Sequence, residues 1–497
     1  MIEWLGLAGP IEAKVIDKGV WLLLIVFLPA LTGILALHRP PRRPGHILLG
    51  LTPIAIAWGG FTQHLSVSGE GLLVLSLSNI ELVLRVNGLA VVLLAITHGM
   101  ATLLAIYACG MLNIIPPTAR QAKAFWSMLG ALITALSVIW VAVDLLTLYL
   151  ALEAMGLAAV GMLLVSGRQA ALVAGMRYLL LALVGSLMYL LGVALIFGQW
   201  GTLSLVTLAT VITPGPVTGG AAALLGAGLA LKAALFPLHA WLAPVHGSAW
   251  TPVSAVHAAL VVKASLFILL MLWSLLLPPG SWLPVVLSVC GSIAIVWGGL
   301  LAWRTHSLKQ LVAASTIAQL GYLMLVFPLL LNSDLPARTQ QLAWEGFWLH
   351  LLGHALAKAA MFMAAGNLIV ATGESSLTGL AGSSRRLPLS LLVFGLASVS
   401  LMGLPPSAGF TAKWQLLQAF IANENIGAIA VLLCGSLLTA AYVFRLFRYS
   451  FVESAPQHDV QPLAPGMNSV ALLLALLALA LGLWAEWPLS LLRGGEF

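Results

Sequence analysis

Charged residues are scarce in this sequence. Only 7% of its 497 residues are Asp, Glu, Lys or Arg, whereas 61% are hydrophobic. A soluble domain carries about 25% charged residues, so soluble domains of this total length would lack the polar surface that they need. The scarcity excludes an ordinary soluble protein and predicts an integral membrane protein, whose apolar surface faces lipid or other helices.

Cysteine pairs and cofactor motifs are also missing. Cys109, Cys290 and Cys434 lie far apart in apolar runs and form no CxxC pair, which excludes the usual spacing of zinc and iron–sulfur ligands. No nucleotide-binding motif occurs, and the basic residues behind the net charge of +7 are scattered singly. We therefore expect no cofactor, no metal, no nucleic-acid partner and no catalytic centre in this chain.

Long apolar runs fill most of the sequence. Stretches of about 20 apolar residues are candidate transmembrane helices, and they predict an all-α membrane protein with about fourteen spans. Their approximate positions are 20–38, 46–62, 87–108, 124–143, 145–167, 171–197, 219–236, 252–276, 282–302, 310–330, 344–371, 387–420, 427–449 and 468–492. The seventh span contains Pro237 and the twelfth contains Pro405 and Pro406. Because proline removes a helix hydrogen bond, we expect both helices to be broken.

Between the second and third spans the pattern changes. Residues 64–86 alternate apolar and polar side chains around Ser78 and Asn79. Alternation of this kind, interrupted by turn-forming residues, is typical of two short strands. We expect a short hairpin on the outer face of the membrane.

Lysine and arginine residues predict the orientation. After the odd-numbered spans lie Arg39, Arg42, Arg43, Arg120, Lys123, Arg168, Arg177, Arg304, Lys309, Arg385, Arg386, Arg445 and Arg448. The loops after even-numbered spans hold only Arg85 and Arg338. Because basic residues concentrate in cytoplasmic loops, we expect a bacterial inner-membrane protein with its odd-numbered loops in the cytoplasm and both termini on the periplasmic side.

Several ionisable residues lie inside the predicted spans, where they are costly and usually functional. Glu153 lies early in the fifth span and, apart from Asp144 at its boundary, is the only acid that we place well inside a span. Lys232 lies beside the break of the seventh span, and broken helices tend to line polar cavities. Lys263 follows in the eighth span. Two structural alternatives stay open: a carboxylate–lysine pair that links two helices, and a lysine that reaches to the membrane surface.

The eleventh span carries three titratable residues on one face. His350, His354 and Lys358 have the spacing i, i+4, i+8, which stacks them over about 12 Å because an α-helix rises 1.5 Å per residue. Without a metal-ligand partner, this stripe indicates a proton relay better than three separate core residues. Lys413 lies beside the break of the twelfth span. The order of one acid followed by basic groups predicts a proton pathway.

Three further histidines lie near the seventh and eighth spans. His239 and His246 lie in the predicted cytoplasmic loop, and His257 precedes the lysine of the eighth span. They are candidates for proton access or relay, and a plain structural role is the alternative for each loop histidine.

The two broken spans also suggest how the chain is organised. Interrupted spans at matching positions of two halves indicate inverted repeats in a transporter. We expect three spans and the hairpin in residues 1–123, two inverted five-helix repeats in residues 124–276 and 282–450, and the last span in residues 451–497. Because five is odd, the two repeats would have opposite orientations in the membrane.

Five segments resemble a known family. They are LEAMGLAAVGML, LKAALFPLHAWLAPVHGSAWTPVSAVHAALVVKAS, SLKQLVAASTIAQLGYL, HLLGHALAKAAMF and GLPPSAGFTAKW. They are similar to signature segments of the proton-conducting antiporter family, which includes antiporter-like subunits of respiratory complex I, large Mrp antiporter subunits and subunits of energy-converting hydrogenases. The resemblance implies fourteen helices with two inverted repeats and proton translocation along a central hydrophilic axis. The matching residues are Glu153, Lys232, Lys263, His354, Lys358 and Lys413.

These patterns favour a proton-translocating, antiporter-like subunit of a larger complex, and three settings stay open. The first is a redox-driven complex such as complex I or a membrane hydrogenase. The second is a sodium/proton antiporter of the Mrp type. The third is a proton-conducting subunit that energises a carbonic-anhydrase-like partner for CO2 and bicarbonate accumulation. In each setting we expect other membrane subunits, a soluble or peripheral energy-coupling subunit and the lipid bilayer as partners, and these partners decide whether the complex is an enzyme.

Overall fold

The computed structural model describes residues 19–38, 71–77, 80–452 and 460–492, and almost all of them are helical. The helices of 15 residues or more in these ranges are α1 (Gly19–His38), α2 (Gly88–Ile114), α3 (Ala119–Val141), α4 (Leu145–Leu164), α5 (Gln169–Trp200), α6 (Pro216–Lys232), α7 (Thr251–Leu276), α8 (Leu283–Arg304), α9 (Leu308–Leu330), α10 (Ala337–Thr372), α11 (Pro388–Met402), α12 (Ala408–Ala422), α13 (Ile426–Phe451) and α14 (Pro465–Leu483). Shorter helical pieces are Leu205–Val211, Leu242–Ser248, Thr378–Leu380, Ser383–Arg386 and Glu486–Leu492.

Within the described ranges, ten helices are long and apolar enough to cross a membrane, namely α2 to α5, α7 to α10, α13 and α14. Three shorter apolar helices, α1, α6 and α11, accompany them. The predicted all-α membrane fold is therefore confirmed. The second predicted span, 46–62, lies outside the described residues, so the total of fourteen spans and their arrangement as two repeats stay predictions.

The expected hairpin is present where the structure describes it. β1 (Gly71–Leu77) pairs with the antiparallel strand β2 (Ile80–Val86). Leu84 also forms a bridge with Ala142, just beyond the end of α3, so the hairpin is attached to the helical bundle. The first part of the expected hairpin, residues 64–70, lies outside the described residues.

Both predicted helix breaks are confirmed. α6 ends at Lys232, and the next residues turn through Ala234, whose φ of 54° lies in the left-handed region. The second break separates α11 from α12, and Gly403, with a φ of 80°, ends α11. A helix end leaves its last carbonyl groups without intrahelical partners. Each break therefore supplies carbonyl groups that a side chain can bind inside the bundle.

Three helices form the centre of the bundle. In each long helix we consider the 18 consecutive residues that are most apolar. Of these residues, 94% are buried in α7 and in α9 and 83% in α10, whereas only 33% are buried in α13 and in α14. α10 has 36 residues, which span about 54 Å at 1.5 Å per residue. α7 contains a π-helical segment, His257–Val261, and such distortions are frequent at functional sites. The charged residues singled out above lie on or beside these central helices.

Candidate functional site

Glu153 on α4 and Lys232 at the broken end of α6 form an ion pair. Lys232 Nζ lies 2.9 Å from Glu153 Oε1, and Ser186 Oγ of α5 lies 2.5 Å from the same oxygen. The lysine side chain is 5% exposed and the glutamate side chain 23%. Each charge therefore compensates the other where a single charge would be costly. The pair also links α4 to α6, as expected for the alternative in which a carboxylate–lysine pair holds two helices together.

Two glycines allow the pair to form. A Cβ atom on Gly185 of α5 would lie 2.8 Å from the carbonyl oxygen of Gly228 on α6, and a Cβ atom on Gly228 would lie 2.5 Å from the Gly185 carbonyl oxygen. Any larger residue would therefore push the two helices apart. The close approach places Ser186, the next residue along α5, within reach of the carboxylate.

Lys263 lies in the centre of the bundle, just after the π-helical segment of α7. Its Nζ donates a hydrogen bond to the carbonyl oxygen of Ala258 within that segment. The residue is only 1% exposed, and Lys232 is only 4% exposed. Neither lysine side chain is exposed at the surface of the protein, which argues against the alternative of a lysine that reaches to the membrane surface.

α10 places His350, His354 and Lys358 inside the bundle, and all three are buried. The two imidazole rings are stacked with centroids 6.0 Å apart. His350, Lys358 and Lys263 all lie close enough to His354 to interact with it electrostatically. Both ring nitrogens of His354 lack a hydrogen-bond partner among the described residues. An unpaired buried polar group costs about 1–3 kcal/mol, a cost that bridging water would remove.

α9 supplies a polar connection that the sequence analysis missed. The carbonyl oxygen of Gln319 accepts a hydrogen bond from His350 Nε2 at 3.2 Å, and its side-chain Nε2 donates to the carbonyl oxygen of Leu401 at 3.3 Å. Lys413 Nζ donates to the same Leu401 oxygen at 3.0 Å. Gln319 thus connects the α10 stripe to the second broken helix. Ser315, one turn earlier on α9, contacts the lysine of that stripe. Ser315 and Gln319 are four residues apart in an apolar segment, and this spacing indicates a polar stripe on one face of α9.

Among the described residues, Lys413 on α12 has no carboxylate partner like that of Lys232. Its Nζ donates to the carbonyl oxygens of Leu401 and Met402, at 3.0 and 3.3 Å, and lies 3.0 Å from Ser436 Oγ. It also lies 4.3 Å from the ring centroid of Tyr322. The two carbonyls belong to the C-terminal end of α11, where the helix dipole favours a positive charge. The second lysine is therefore stabilised by fixed dipoles and by a ring face.

The three additional histidines fall into two groups. His246 and His257 are almost completely buried, and His246 lies close enough to His257 and Lys263 to interact with them electrostatically. His239 is half-buried and stacks on Phe236, with ring centroids 5.2 Å apart. The structure brings the first two histidines to the central lysine, and the described contacts of His239 are with its own loop.

One buried acid is not among the residues predicted from the sequence. A start of the eleventh span at residue 344 puts Glu345 at a boundary, whereas α10 begins at Ala337 and encloses it. Glu345 is 3% exposed. Gln341 Nε2 donates to its Oε1 at 2.7 Å and Gln415 Nε2 to its Oε2 at 2.8 Å. Gln415 lies on α12, so this hydrogen bond links the N-terminal part of α10 to the helix that carries Lys413.

Comparison with known proteins gives a family and a set of relatives. Residues 142–439 match the family described as NADH:quinone oxidoreductase/Mrp antiporter, TM. NADH-quinone oxidoreductase subunit N of Desulforudis audaxviator is 31% identical over 393 residues, which cover 76% of each protein. A Na(+)/H(+) antiporter subunit of Bacillus subtilis is 26% identical over 379 residues, 74% of each protein.

Solved structures agree on the fold. A chain of the Mrp complex from a Dietzia species superposes with a TM-score of 0.82 at 22% identity and covers 96% of this chain and 97% of its own. A chain of an archaeal membrane-bound sulfane sulfur reductase superposes with a TM-score of 0.85 at 24% identity, over 95% and 96% of the two chains. At these identities the likeness establishes the architecture, which is shared along nearly the whole length.

Proposed function

Because the chain belongs to the NADH:quinone oxidoreductase/Mrp antiporter membrane family, as its motifs predicted, we propose that it is a proton-translocating, antiporter-like membrane subunit of a larger complex. The observation that carries the proposal is a series of charged and imidazole side chains inside the bundle, all of them buried except Glu153, whose side chain is 23% exposed. These side chains are Glu153, Lys232, Lys263, His350, His354, Lys358 and Lys413. Such groups are costly inside a membrane protein and are usually functional there.

In this proposal the ion pair is the switch. The Glu153 carboxylate stabilises the protonated form of Lys232, because the two charges lie 2.9 Å apart in a poorly solvated place. A change of charge in a neighbouring subunit that draws on Glu153 weakens the pair. Lys232 then holds its proton less firmly and passes it toward Lys263 through water.

The imidazole stripe carries the proton between the two lysine sites. A neutral imidazole accepts a proton at one ring nitrogen and donates from the other. His354 interacts with lysines on both α7 and α10, and its unpaired ring nitrogens leave it available to bridging water. Water beside Gln319 continues the path from His350 to Lys413, because the amide and carbonyl groups of this connection do not themselves carry a proton. His246 and His257, beside Lys263, are the proposed access groups, and His239 contributes from its loop.

Glu345 ends the pathway in this proposal. A hydrogen bond from Gln415 links it to α12, the helix that carries Lys413, and it lies in the N-terminal part of α10. The orientation expected from the Lys and Arg residues places this part of α10 toward the periplasm, with both chain termini on that side of a bacterial inner membrane. Opposite orientations of the repeats 124–276 and 282–450 would give one half-pathway from each side.

The partners proposed for the chain follow from its relatives. One relative is named as a quinone oxidoreductase subunit and another as a sodium/proton antiporter subunit. We propose that the chain works beside other membrane subunits and is driven by a peripheral redox or energy-coupling subunit, with Mrp-type antiport as the alternative. Sodium prefers hard oxygen ligands, and Glu153 and Glu345 offer few. The relatives give less support to inorganic-carbon accumulation.

The proposal is tested by proton flux in sealed vesicles that contain the complete complex. Lys232→Met and Glu153→Gln should each abolish flux driven by the complex, while the partner subunits still co-purify. Lys123→Met, at the start of α3, is the control for loss of a positive charge. Dependence of the remaining flux on a sodium gradient would favour antiport, and normal flux in both pathway variants would contradict the proposal.

A further inference from the structure

A cavity of about 760 Å³ lies between one end of α8 and one end of α13, outside the series of buried charged residues. Its lining combines three arginines, Arg304, Arg445 and Arg448, with aromatic side chains that include Trp303 and Phe444. No acidic residue of the described chain lines it. The cavity is therefore strongly positive and has aromatic walls.

Arg445 is occupied by the fold. Its Nη1 donates to the carbonyl oxygen of Thr305 at 2.8 Å and also contacts the carbonyl oxygen of Trp303. Its Nη2 lies 3.3 Å from His306 Nδ1. These contacts satisfy carbonyl groups at the C-terminal end of α8. Arg445 thus holds the ends of α8 and α13 together and forms the floor of the cavity.

Arg304 and Arg448 have no such contacts. Arg304 is the last residue of α8 and Arg448 lies in the last turn of α13. Both are exposed, and neither has a hydrogen bond or an ion pair with any described residue. Two unpaired guanidinium groups therefore line one cavity at the level where two spans end.

The surroundings of the cavity are apolar and open. Trp303 is 48% exposed, Phe444 66% and Phe451 67%. Trp303 lies on α8, and Phe444 and Phe451 lie on α13. These helices are among the least buried of the bundle, since only 39% of the 18 most apolar consecutive residues are buried in α8 and 33% in α13. Exposed aromatic residues at the ends of spans are typical of the headgroup region of a bilayer.

We propose that this cavity binds an anionic phospholipid. Arg304 and Arg448 hold its phosphate, because guanidinium groups bind phosphate oxygens in a fork geometry that suits two parallel hydrogen bonds. Phe444 and Phe451 pack along the upper acyl chains. Basic pockets between transmembrane helices are known to select anionic headgroups. The loops at this end are those expected on the cytoplasmic side.

The charge and the position of the cavity favour lipid over other occupants. A neighbouring protein subunit would need carboxylates placed opposite both guanidinium groups, whereas every anionic phospholipid carries a phosphate at this level of the bilayer. Free phosphate would satisfy the two arginines but would leave the exposed Phe444 and Phe451 uncovered. A lipid satisfies the charges and covers the rings with a single molecule.

Native mass spectrometry of the complete complex, released from nanodiscs that contain equal amounts of cardiolipin and phosphatidylcholine, tests the proposal. The double variant Arg304→Gln, Arg448→Gln should retain cardiolipin about tenfold less than the natural chain, since each basic residue near the surface contributes a several-fold preference. The control is Arg120→Gln, Arg168→Gln, which removes two exposed arginines from other loops and should retain the lipid. Equal retention by both double variants would overturn the proposal, as would competition by millimolar inorganic phosphate.

A second measurement does not depend on the stability of the arginine variants. A photo-cross-linking residue, Phe444→p-benzoylphenylalanine, is introduced into the complete complex in native membranes. Cross-linking to a phospholipid is the expected result, and the adduct should be lost from the Arg304→Gln, Arg448→Gln background. Cross-linking to a protein subunit instead would overturn the proposal.

Discussion

The two broken helices stabilise their lysines in different ways. At the first break, Lys232 pairs with the full negative charge of Glu153. At the second break, Lys413 rests on two carbonyl oxygens at the end of α11 and on the ring of Tyr322. Both lysines lie beside a helix break and both are buried, but the groups that compensate their charges differ.

This difference indicates a division of work. A carboxylate can change its own charge or be attracted elsewhere, so the stabilisation of Lys232 can be switched by a neighbour. Helix-end carbonyls are fixed dipoles that do not titrate, so the Lys413 site keeps a more constant environment. The first site is suited to receive a signal and the second to pass the proton on.

The largest expected effect concerns the ion pair itself. Lys232→Met leaves the partly buried Glu153 carboxylate without its partner and should destabilise the protein by about 3 kcal/mol. Adding Glu153→Gln removes the unpaired charge and should restore most of the melting temperature, but not proton flux. Thermal melting and vesicle flux of the two single variants and the double variant measure this. A double variant no more stable than Lys232→Met would contradict the pairing.

The matched change at the second break should behave differently. Lys413→Met leaves carbonyl groups rather than a charge unpaired, and should cost about 1–2 kcal/mol. Because no titratable partner is left behind, Glu345→Gln should not restore the melting temperature of this variant, although flux is lost in both. Recovery of stability by that second substitution would show that Lys413 is paired with the acid after all.

The close approach of α5 and α6 gives a steric test of the first site. Gly185→Val should force the helices apart at the Gly228 carbonyl, cost about 1–3 kcal/mol and reduce flux by moving Ser186 away from the carboxylate. Gly198→Val, on the same helix, has no atom within 4 Å of its added Cβ, so it should leave melting and flux close to those of the natural chain. Equal effects of the two variants would contradict the claim that the close contact of Gly185 with Gly228 is needed to position Ser186.

The smallest expected effect is at the connection between the sites. Gln319→Leu removes the side-chain hydrogen bond to Leu401 but keeps the backbone carbonyl that binds His350. It should lower flux about tenfold, because proton transfer depends on groups and water within hydrogen-bond reach. Melting should change by no more than about 1 kcal/mol. Gln310→Leu, exposed at the start of α9, is the control. Unchanged flux in Gln319→Leu would mean that the proton bypasses this helix.

The sequence predicted the features that depend on composition and on spacing along one helix. The membrane fold, both breaks and the stripe of His350, His354 and Lys358 follow from hydropathy, proline and the 3.6-residue repeat. Each of these signals is contained within a single segment of the chain.

Contacts between helices were harder to predict. Gln319 gains its role from its position opposite His350 and Leu401, which no local pattern encodes. Glu345 was missed because hydropathy sets helix ends only within a few residues, and α10 extends seven residues before the predicted start at 344. The sequence allowed a pair between Lys232 and Glu153 as one of several arrangements. The pair depends on the close packing of α5 and α6 at Gly185 and Gly228, which the sequence pattern does not predict.

The most direct test of the central claim is the effect of Lys263→Met on proton flux through the complete complex in sealed vesicles. Lys263 is the best target because it is buried close to His354, and its removal leaves the Ala258 carbonyl without this hydrogen bond rather than a charge without its partner. The account predicts an assembled complex whose flux falls to the level of empty vesicles, while Lys123→Met keeps normal flux. Normal flux in assembled Lys263→Met complex would contradict the account, because protons would then cross without the centre of the pathway.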